Sequence, residues 1–157
     1  TKGYKNQSNR FKYTAGTDKY TEILDAAQEQ MQDIRDDDGN LLNIKPDTII
    51  IPNSGKLKRA LFAAIGSEIG LWNVLVWNYL PKTIGGKEYF MLLDSDYNKD
   101  AMCMPWLDRV TLTVRSSVDE NTDANYWSGR ARFGAGFNDW RAISIVGDGM
   151  TNGTQLL

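Results

Sequence analysis

Histidine is absent from this 157-residue chain, and cysteine occurs only once, at Cys103. Without histidine, the chain cannot build the Ser-His-Asp or Cys-His arrangements that activate most protein nucleophiles. One cysteine and no histidine leave too few ligands for the common zinc sites. An enzyme built on this sequence would have to rely on carboxylates, lysine or tyrosine. The composition therefore favours a non-catalytic protein without a metal ion or other cofactor.

Long hydrophobic runs are also missing from the sequence. No apolar stretch approaches the roughly 20 residues that a membrane-spanning helix needs, and residues 1–20 are polar, unlike a signal peptide. The formal net charge is −2, which gives no electrostatic reason to expect nonspecific nucleic-acid binding. We therefore expect one globular unit with no membrane partner. Because the chain starts at Thr1 and not at Met, we expect a fragment with flexible ends at residues 1–17 and 148–157.

Two amphipathic helices are predicted in the first half of the chain. The first spans about residues 21–35, with Thr21 or Asp18 as its N-cap. The second begins after Asn53 or Ser54, either of which can cap it, and ends near Gly66. In each helix the apolar residues recur every three or four positions, which gives one apolar stripe. These stripes consist of Leu24, Ala27, Met31 and Ile34 in the first helix and Leu57, Leu61 and Ile65 in the second.

Strands are predicted on both sides of the second helix and dominate the second half. The β-branched run Thr48–Ile51 lies between two prolines and is typical of a strand buried on both faces. Further strands are predicted at 72–79 and 88–93, joined through a Gly85-Gly86 turn, and at 109–118, 127–137 and 140–146. The tryptophans of these strands are expected in the core. The sequence thus predicts a single α+β unit.

Alternation in two of the strands separates apolar from polar side chains. Val110, Leu112 and Val114 are predicted to share one face, opposite Arg109 and Arg115. In 127–137 the apolar positions lie opposite a face that carries Arg130 and Arg132.

Several motifs resemble functional sites, but simpler interpretations fit better. Residues 51–56 lack the first glycine and the Ser or Thr of a phosphate-binding loop. The patterns Asp36-x-Asp38-x-Asn40 and Asp94-x-Asp96-x-Asn98 begin like calcium loops, but lack the later glycine and glutamate. Three cations, Lys56, Lys58 and Arg59, crowd the start of the second helix, where the helix dipole disfavours them. They are either a solvated face or a contact with an acidic neighbouring subunit.

The order of elements from Thr21 to Glu68 resembles the Mu-like major head subunit family of tailed bacteriophages, within the Hong Kong 97-like capsid fold. That family has a long helix, an acidic glycine turn, a segment ending in proline, a strand ending in proline and a second helix. The corresponding segments here are TEILDAAQEQMQDIRDDDG, NLLNIKP, DTIIIP and NSGKLKRALFAAIGSE. The closing run GRARFGAGFNDWRAI is similar to the family's last strands. The resemblance covers about residues 18–147 and implies the C-terminal portion of a capsid subunit.

This resemblance implies a structural subunit of a phage or prophage head, which self-assembles into an icosahedral shell around packaged DNA without sequence-specific binding. Residues of about 18–46 and 121–147 would belong to the peripheral domain and 47–120 to the axial domain. The partners would be other copies of the chain, with scaffold, portal or protease proteins as further candidates, and the location would be the virion. The candidate interface residues are Lys56, Lys58, Arg59, Arg109, Arg115, Arg130 and Arg132.

Two alternatives stay open on the sequence. A shell protein of the encapsulin type would use the same fold to enclose cargo enzymes. A carbohydrate-binding or carbohydrate-cleaving β domain would instead use the tryptophans and carboxylates.

Overall fold

The computed structural model describes residues 7–14, 19–66, 70–119 and 121–149. Within these ranges the chain forms three helices and seven strands, which build a five-stranded mixed sheet and a two-stranded hairpin. The α+β class predicted from the sequence is thus confirmed. The chain divides into two compact units. We call the described residues up to Cys103 and from Asp139 onward the sheet unit, and residues Met104–Asn138 the hairpin unit.

The five-stranded sheet has the order β1 (Arg10–Tyr13), β7 (Ile143–Asp148), β4 (Tyr89–Leu93), β2 (Thr48–Pro52) and β3 (Asn73–Trp77). β1 is parallel to β7 and β3 is parallel to β2, whereas β4 is antiparallel to both of its neighbours. The strands at 72–79 and 88–93 were predicted with slightly wider bounds.

Strands β3 and β4 follow each other in the chain but are not neighbours in the sheet, because β2 lies between them. The predicted turn between them does form at Gly85 and Gly86, which both have positive φ angles that favour glycine. The turn therefore reverses the chain without pairing β3 with β4.

Strand β2 is buried along its whole length, as the run of β-branched residues between two prolines predicts. Ile49 and Ile51 are completely inaccessible to solvent. They share a face of the sheet with Leu92 of β4, which pairs with Ile49, and this face carries the main hydrophobic core.

Helices α1 (Tyr20–Gln32) and α2 (Gly55–Ile65) bury their predicted apolar stripes in this core. Helix α1 ends earlier than predicted, although Ile34 beyond its end is still buried. The rest of the core comes from one face of the sheet and from Ile34 and Ile44 of the connecting segments. Its principal members are Leu24, Ala27, Met31, Leu57, Leu61, Ile65, Phe90, Leu92 and Val146.

The helix ends differ in part from the predictions. Lys19 occupies the N-cap position of α1, so the proposed cap Thr21 is wrong, and Asp18 lies outside the described residues. Ser54 occupies the N-cap position of α2 as predicted, but its side chain makes no capping hydrogen bond. Gly66 ends α2 with a φ of 50°, a left-handed conformation that glycine adopts easily.

A short third helix, α3 (Ser95–Asp100), was not predicted. Its sequence, SDYNKD, has no apolar spacing that would indicate a helix. Asp94 starts it by accepting a hydrogen bond from the backbone N–H of Tyr97 at 2.8 Å.

The segments expected to be flexible belong partly to the sheet. Arg10–Tyr13 form β1, and the last strand, β7, starts later than the predicted 140–146 and ends at Asp148. Trp140 precedes this strand and packs partly buried against the core. Residues 1–6, 15–18 and 150–157 lie outside the described part of the chain. None of the helices in the described residues is long and apolar enough to cross a membrane.

Candidate subunit interface

The hairpin unit consists of two long antiparallel strands, β5 (Trp106–Asp119) and β6 (Ala124–Ala135). β5 extends beyond the predicted strand 109–118 at both ends. β6 begins and ends earlier than the predicted strand 127–137. At the end of β5, Asp119 accepts hydrogen bonds from the backbone of Asn121 and the hydroxyl of Thr122. These bonds lower the pKa of the Asp119 carboxyl.

Two irregularities in β5 control which way its side chains point. The register shifts once between Asp108 and Val110 and again between Val110 and Thr113. Each shift places one extra residue in β5, and a slip of one residue moves the following side chains to the other face. The second shift therefore restores the alternation that the first reverses. Val110, which pairs with Arg132, lies between them, so the prediction that it shares a face with Leu112 and Val114 is wrong.

One face of the hairpin is apolar over nearly its whole length. Trp106 and Phe133 stack at one end, with ring centroids 4.6 Å apart. Farther along, Leu112 lies beside Gly129, and Val118 and Trp127 follow toward the turn. We call this set the hairpin apolar face, with the members Trp106, Leu112, Val114, Val118, Trp127 and Phe133.

All of these side chains are exposed, with Leu112 at 70% and Trp127 at 74% relative accessibility. The expectation that Trp127 packs in the core is therefore wrong, and so is that for Trp77, which is 48% exposed. Alternation predicts which side chains share a face, but it does not say whether the same chain covers that face.

The opposite face of the hairpin is polar and cationic. Arg115 pairs with Ser128, and Arg130 pairs with Thr113, so both arginines lie on this face, where Tyr126 also lies. Arg132 lies opposite Val110, and Arg109 and Arg132 line a shallow depression together with Leu107. Within the described part of the chain, none of these four arginine side chains makes an ion pair. The structure thus brings four of the seven predicted interface residues into one hairpin.

The other three predicted interface residues lie on the first turns of α2, in the sheet unit. Lys56 pairs with Glu88 of the same chain, with 3.5 Å between Nζ and Oε1. The Nε of Arg59 donates to the carbonyl of Gly55, and Lys58 is exposed.

The two calcium-like patterns have structural roles. Asp36 accepts hydrogen bonds from the backbone N–H groups of Asp38 and Asn40 and from the Asn40 side chain, which holds its pKa below the ordinary value. Asp94 uses one carboxylate oxygen to cap α3 and the other to accept from the backbone N–H of Lys45 at 2.7 Å. In the described ranges, no three Cys, Asp or Glu side chains are grouped so that they could hold a metal ion.

A partly buried polar network in the sheet unit includes Tyr97 of α3. The hydroxyl of Tyr97 donates to Asp139, and burial together with this bond raises the pKa of Tyr97 to about 12. Arg141 bridges Asp139 and Asp37, at 3.3 and 2.8 Å. The charge of Arg141 is paired with two carboxylates, which indicates a structural role, although within the described residues its buried Nε makes no hydrogen bond.

The sequence model of a family described as Phage capsid protein matches residues 2–146 of this chain. The chain belongs to this phage capsid protein family. It is a structural subunit of a phage head and not an enzyme, and it is located in the virion. Among curated proteins, none matches the chain. For a capsid protein the relevant site is the surface that contacts other subunits, and the exposed hairpin has the features of such a surface.

Sequence reasoning found the cationic residues of this surface and the alternation of its apolar residues, but it did not predict that the apolar residues are exposed. It also missed a second group of exposed apolar residues around β3, which it placed in an ordinary core strand. No local signal in the sequence separates these residues from core residues, because strand alternation is the same whether a face is covered by its own chain or by another one.

Proposed function

We propose that many copies of this subunit build an icosahedral head shell of the Hong Kong 97-like type around packaged DNA, as a member of the Mu-like head subunits. The observation that carries the proposal is the hairpin unit. None of its described residues is buried, although it holds nine large exposed apolar side chains, namely Trp106, Leu107, Leu112, Val114, Val118, Tyr126, Trp127, Phe133 and Phe137. A two-stranded hairpin is marginally stable in water by itself, so a surface of this kind suits a subunit that is completed by its neighbours.

The arginines of the polar hairpin face give such contacts their register. Arg115 and Arg130 lie on the same face as diagonal neighbours, and two cations on one face favour an acidic partner surface. Charged contacts at the rim of an interface contribute specificity and association rate more than affinity. Arg109, Arg132, Lys56, Lys58 and Arg59 are further candidates for the same role.

The position of each segment in the shell follows from the family resemblance. Residues of about 18–46 and 121–147 would lie in the peripheral part and 47–120 in the axial part. β4 belongs to the proposed axial part and β7 mostly to the proposed peripheral part, and the two strands pair within one sheet. The proposed division therefore concerns the position of each segment in the shell and not the fold of the subunit.

The partners that fit this role are other copies of the subunit, with scaffold, portal or protease proteins during assembly. The chain carries 18 basic and 20 acidic residues, and this balance suits a wall that encloses DNA without binding a particular sequence.

Electron microscopy of the purified protein, expressed with and without its neighbouring genes, tests the proposal. Closed hollow shells of uniform size are the expected result. Strictly monomeric protein at high concentration, under several salt and scaffold conditions, would contradict it. Shells that contain a cargo protein and no nucleic acid would favour an encapsulin-type container over a phage head.

A further inference from the structure

Two arginines of the hairpin unit, Arg109 and Arg132, line one shallow depression, which we call the arginine depression. Its other described lining residues are Leu107, Ala131, Phe133 and Gly134. No acidic side chain is among these described lining residues, and neither arginine makes an ion pair within the described part of the chain. The volume of the depression is about 660 Å³, within the range of roughly 300–1,000 Å³ that is typical of ligand sites.

A bulge in β5 brings Arg109 to this position. Asp108 pairs with Phe133 and Val110 pairs with Arg132, so Arg109 is the extra residue between them. In a regular ladder Arg109 would lie directly opposite Arg132, where two like charges destabilise a strand pair. The bulge removes this direct opposition, while both side chains still line the depression. Bulges that re-aim a side chain in this way are frequent next to functional sites.

The neighbouring carboxylate does not neutralise these two arginines. Asp108 accepts a hydrogen bond from Trp106 Nε1 at 3.0 Å, and within the described residues it makes no ion pair. A cleft that carries one sign of charge between apolar walls focuses the electric field and attracts counter-ions. The depression is therefore a local site for an anion, although the formal net charge of the whole chain is −2.

The surroundings of Arg115 and Arg130 are different. These arginines pair with Ser128 and Thr113, so they lie beside hydroxyl groups, and neither of them lines the depression. A concave site with apolar walls and a few converging charged groups is typical of ligand binding. The two pairs of arginines on the hairpin are thus suited to different partners.

We propose that the arginine depression binds a backbone phosphate of DNA without reading the base sequence. A guanidinium group matches the oxygens of a phosphate with two parallel hydrogen bonds. Phosphate contacts fix the position of a nucleic acid but carry no sequence information themselves. The inference rests on the proposed function for the source of the phosphate, which is the DNA that the shell encloses.

Binding of a short double-stranded DNA of mixed sequence to the purified subunit, measured at several salt concentrations, tests this site. The double variant Arg109→Ser with Arg132→Ser should bind about tenfold more weakly. The slope of log K against log salt concentration should fall by about one, the value for one lost phosphate contact.

The matched control is Arg115→Ser with Arg130→Ser, which removes the same charge from the same hairpin. This control should keep the salt slope and most of the affinity for DNA. All four arginines are exposed, so circular dichroism should be unchanged in both double variants. Equal losses of affinity in the two double variants would overturn the site, because net charge alone would then explain the binding.

Two competitors identify the chemistry of the ligand. The side-chain Nε–H signals of Arg109 and Arg132 in nuclear magnetic resonance spectra should shift with DNA and, at higher concentration, with inorganic phosphate. Shifts with inorganic phosphate alone would overturn DNA as the source of the phosphate. Polyglutamate that binds these arginines as tightly as DNA would overturn the proposal in favour of an acidic protein partner.

The outcome for this site is separable from the outcome for the shell, because DNA binding is measured on unassembled subunits. If shells form but both double variants bind DNA equally well, only this inference fails. If no shells form under any condition, the proposed function fails, whatever the binding result.

Discussion

The sheet unit and the hairpin unit differ in how far they bury their apolar side chains. In the sheet unit, two helices and one face of a five-stranded sheet enclose a core whose members, such as Leu61 and Phe90, are fully inaccessible to solvent. In the hairpin unit, every described residue is exposed or only half-buried. The first unit buries most of its large apolar residues within the chain, and the second exposes its own to solvent.

This difference separates the part of the chain that stabilises the free subunit from the part that is available for contacts with other subunits. Buried apolar area is the main source of stability for a folded domain, so the sheet unit accounts for the stability of the free subunit. The hairpin contributes backbone pairing and one aromatic stack but no core of its own. Its apolar residues are in position to contribute to stability only when another subunit covers them.

The largest contrast is expected between two phenylalanines. Phe90→Ala removes a completely buried ring from the core of the sheet unit and should lower the free energy of unfolding by about 3–5 kcal/mol. Phe133→Ala removes an exposed ring from the hairpin and should cost only the local stack on Trp106, about 0.5–1.5 kcal/mol. Urea unfolding followed by circular dichroism measures both. Equal shifts of the two midpoints would show that the hairpin belongs to the same core.

A second prediction concerns the buried carboxylate that starts α3. Asp94→Ala leaves the backbone N–H groups of Lys45 and Tyr97 without their acceptor and should destabilise the sheet unit by about 2–3 kcal/mol. The matched control is Asp96→Ala, two residues later, where the side chain is 91% exposed and pairs only with Lys99. The control should change stability by less than about 0.5 kcal/mol. A similar loss in both variants would argue against a specific capping role.

A third prediction addresses the polar face of the hairpin. The double variant Arg115→Ser with Arg130→Ser should leave the unfolding midpoint of the subunit unchanged, because both side chains are exposed. It should slow assembly and make assembly less dependent on salt. The free energy of association should weaken by about 0.2–1 kcal/mol per charge removed. Light scattering during assembly at several salt concentrations measures this. Lys45→Ser with Lys82→Ser removes the same net charge from the sheet unit and should not have this effect.

The smallest expected effect is a pH dependence of the sheet unit. Burial raises the pKa of Asp47, but hydrogen bonds from the side chain and backbone of Ser95 outweigh it, so the pKa lies below its ordinary value. A lowered pKa in the folded state stabilises the fold above the ordinary value near 3.8, and this contribution disappears as the pH falls through the folded pKa. Urea midpoints measured between neutral pH and acid should therefore fall less steeply for Asp47→Asn than for the unmodified protein. Parallel curves would contradict the role of this bond.

Much of the sheet unit could be predicted from the sequence because its signals are local. The β-branched run of β2, the apolar stripe of α2 and the glycine that ends it are each contained in a few residues. The order of the strands could not be predicted in this way, since the placement of β2 between β3 and β4 depends on contacts between distant segments. Helix α3 escaped prediction because it is short and polar, and because, besides its N-cap Asp94, it is held by Asp47 of a distant segment, which accepts from Ser95.

The candidate interface was predicted only in part. The arginines stood out as cations on alternating strands, and the structure places four of them on one hairpin. The apolar residues of this face were predicted to alternate, but the sequence pattern does not show that they are exposed, nor that the two register shifts in β5 move Val110 to the other face. The exposure of Trp127 and Trp77 was missed as well. Strand alternation predicts the same pattern whether an apolar face is covered by its own chain or by a neighbouring subunit.

Hydrogen exchange of the free and the assembled protein, followed peptide by peptide, tests the central claim most directly. In the free subunit, the amides of β2 and β4 should be strongly protected and those of the hairpin unit only weakly, because local stability follows burial. On assembly, we expect protection to rise mainly in the hairpin strands and in the segment around β3. Unchanged exchange in the hairpin, with new protection confined to other surfaces of the sheet unit, would contradict the account.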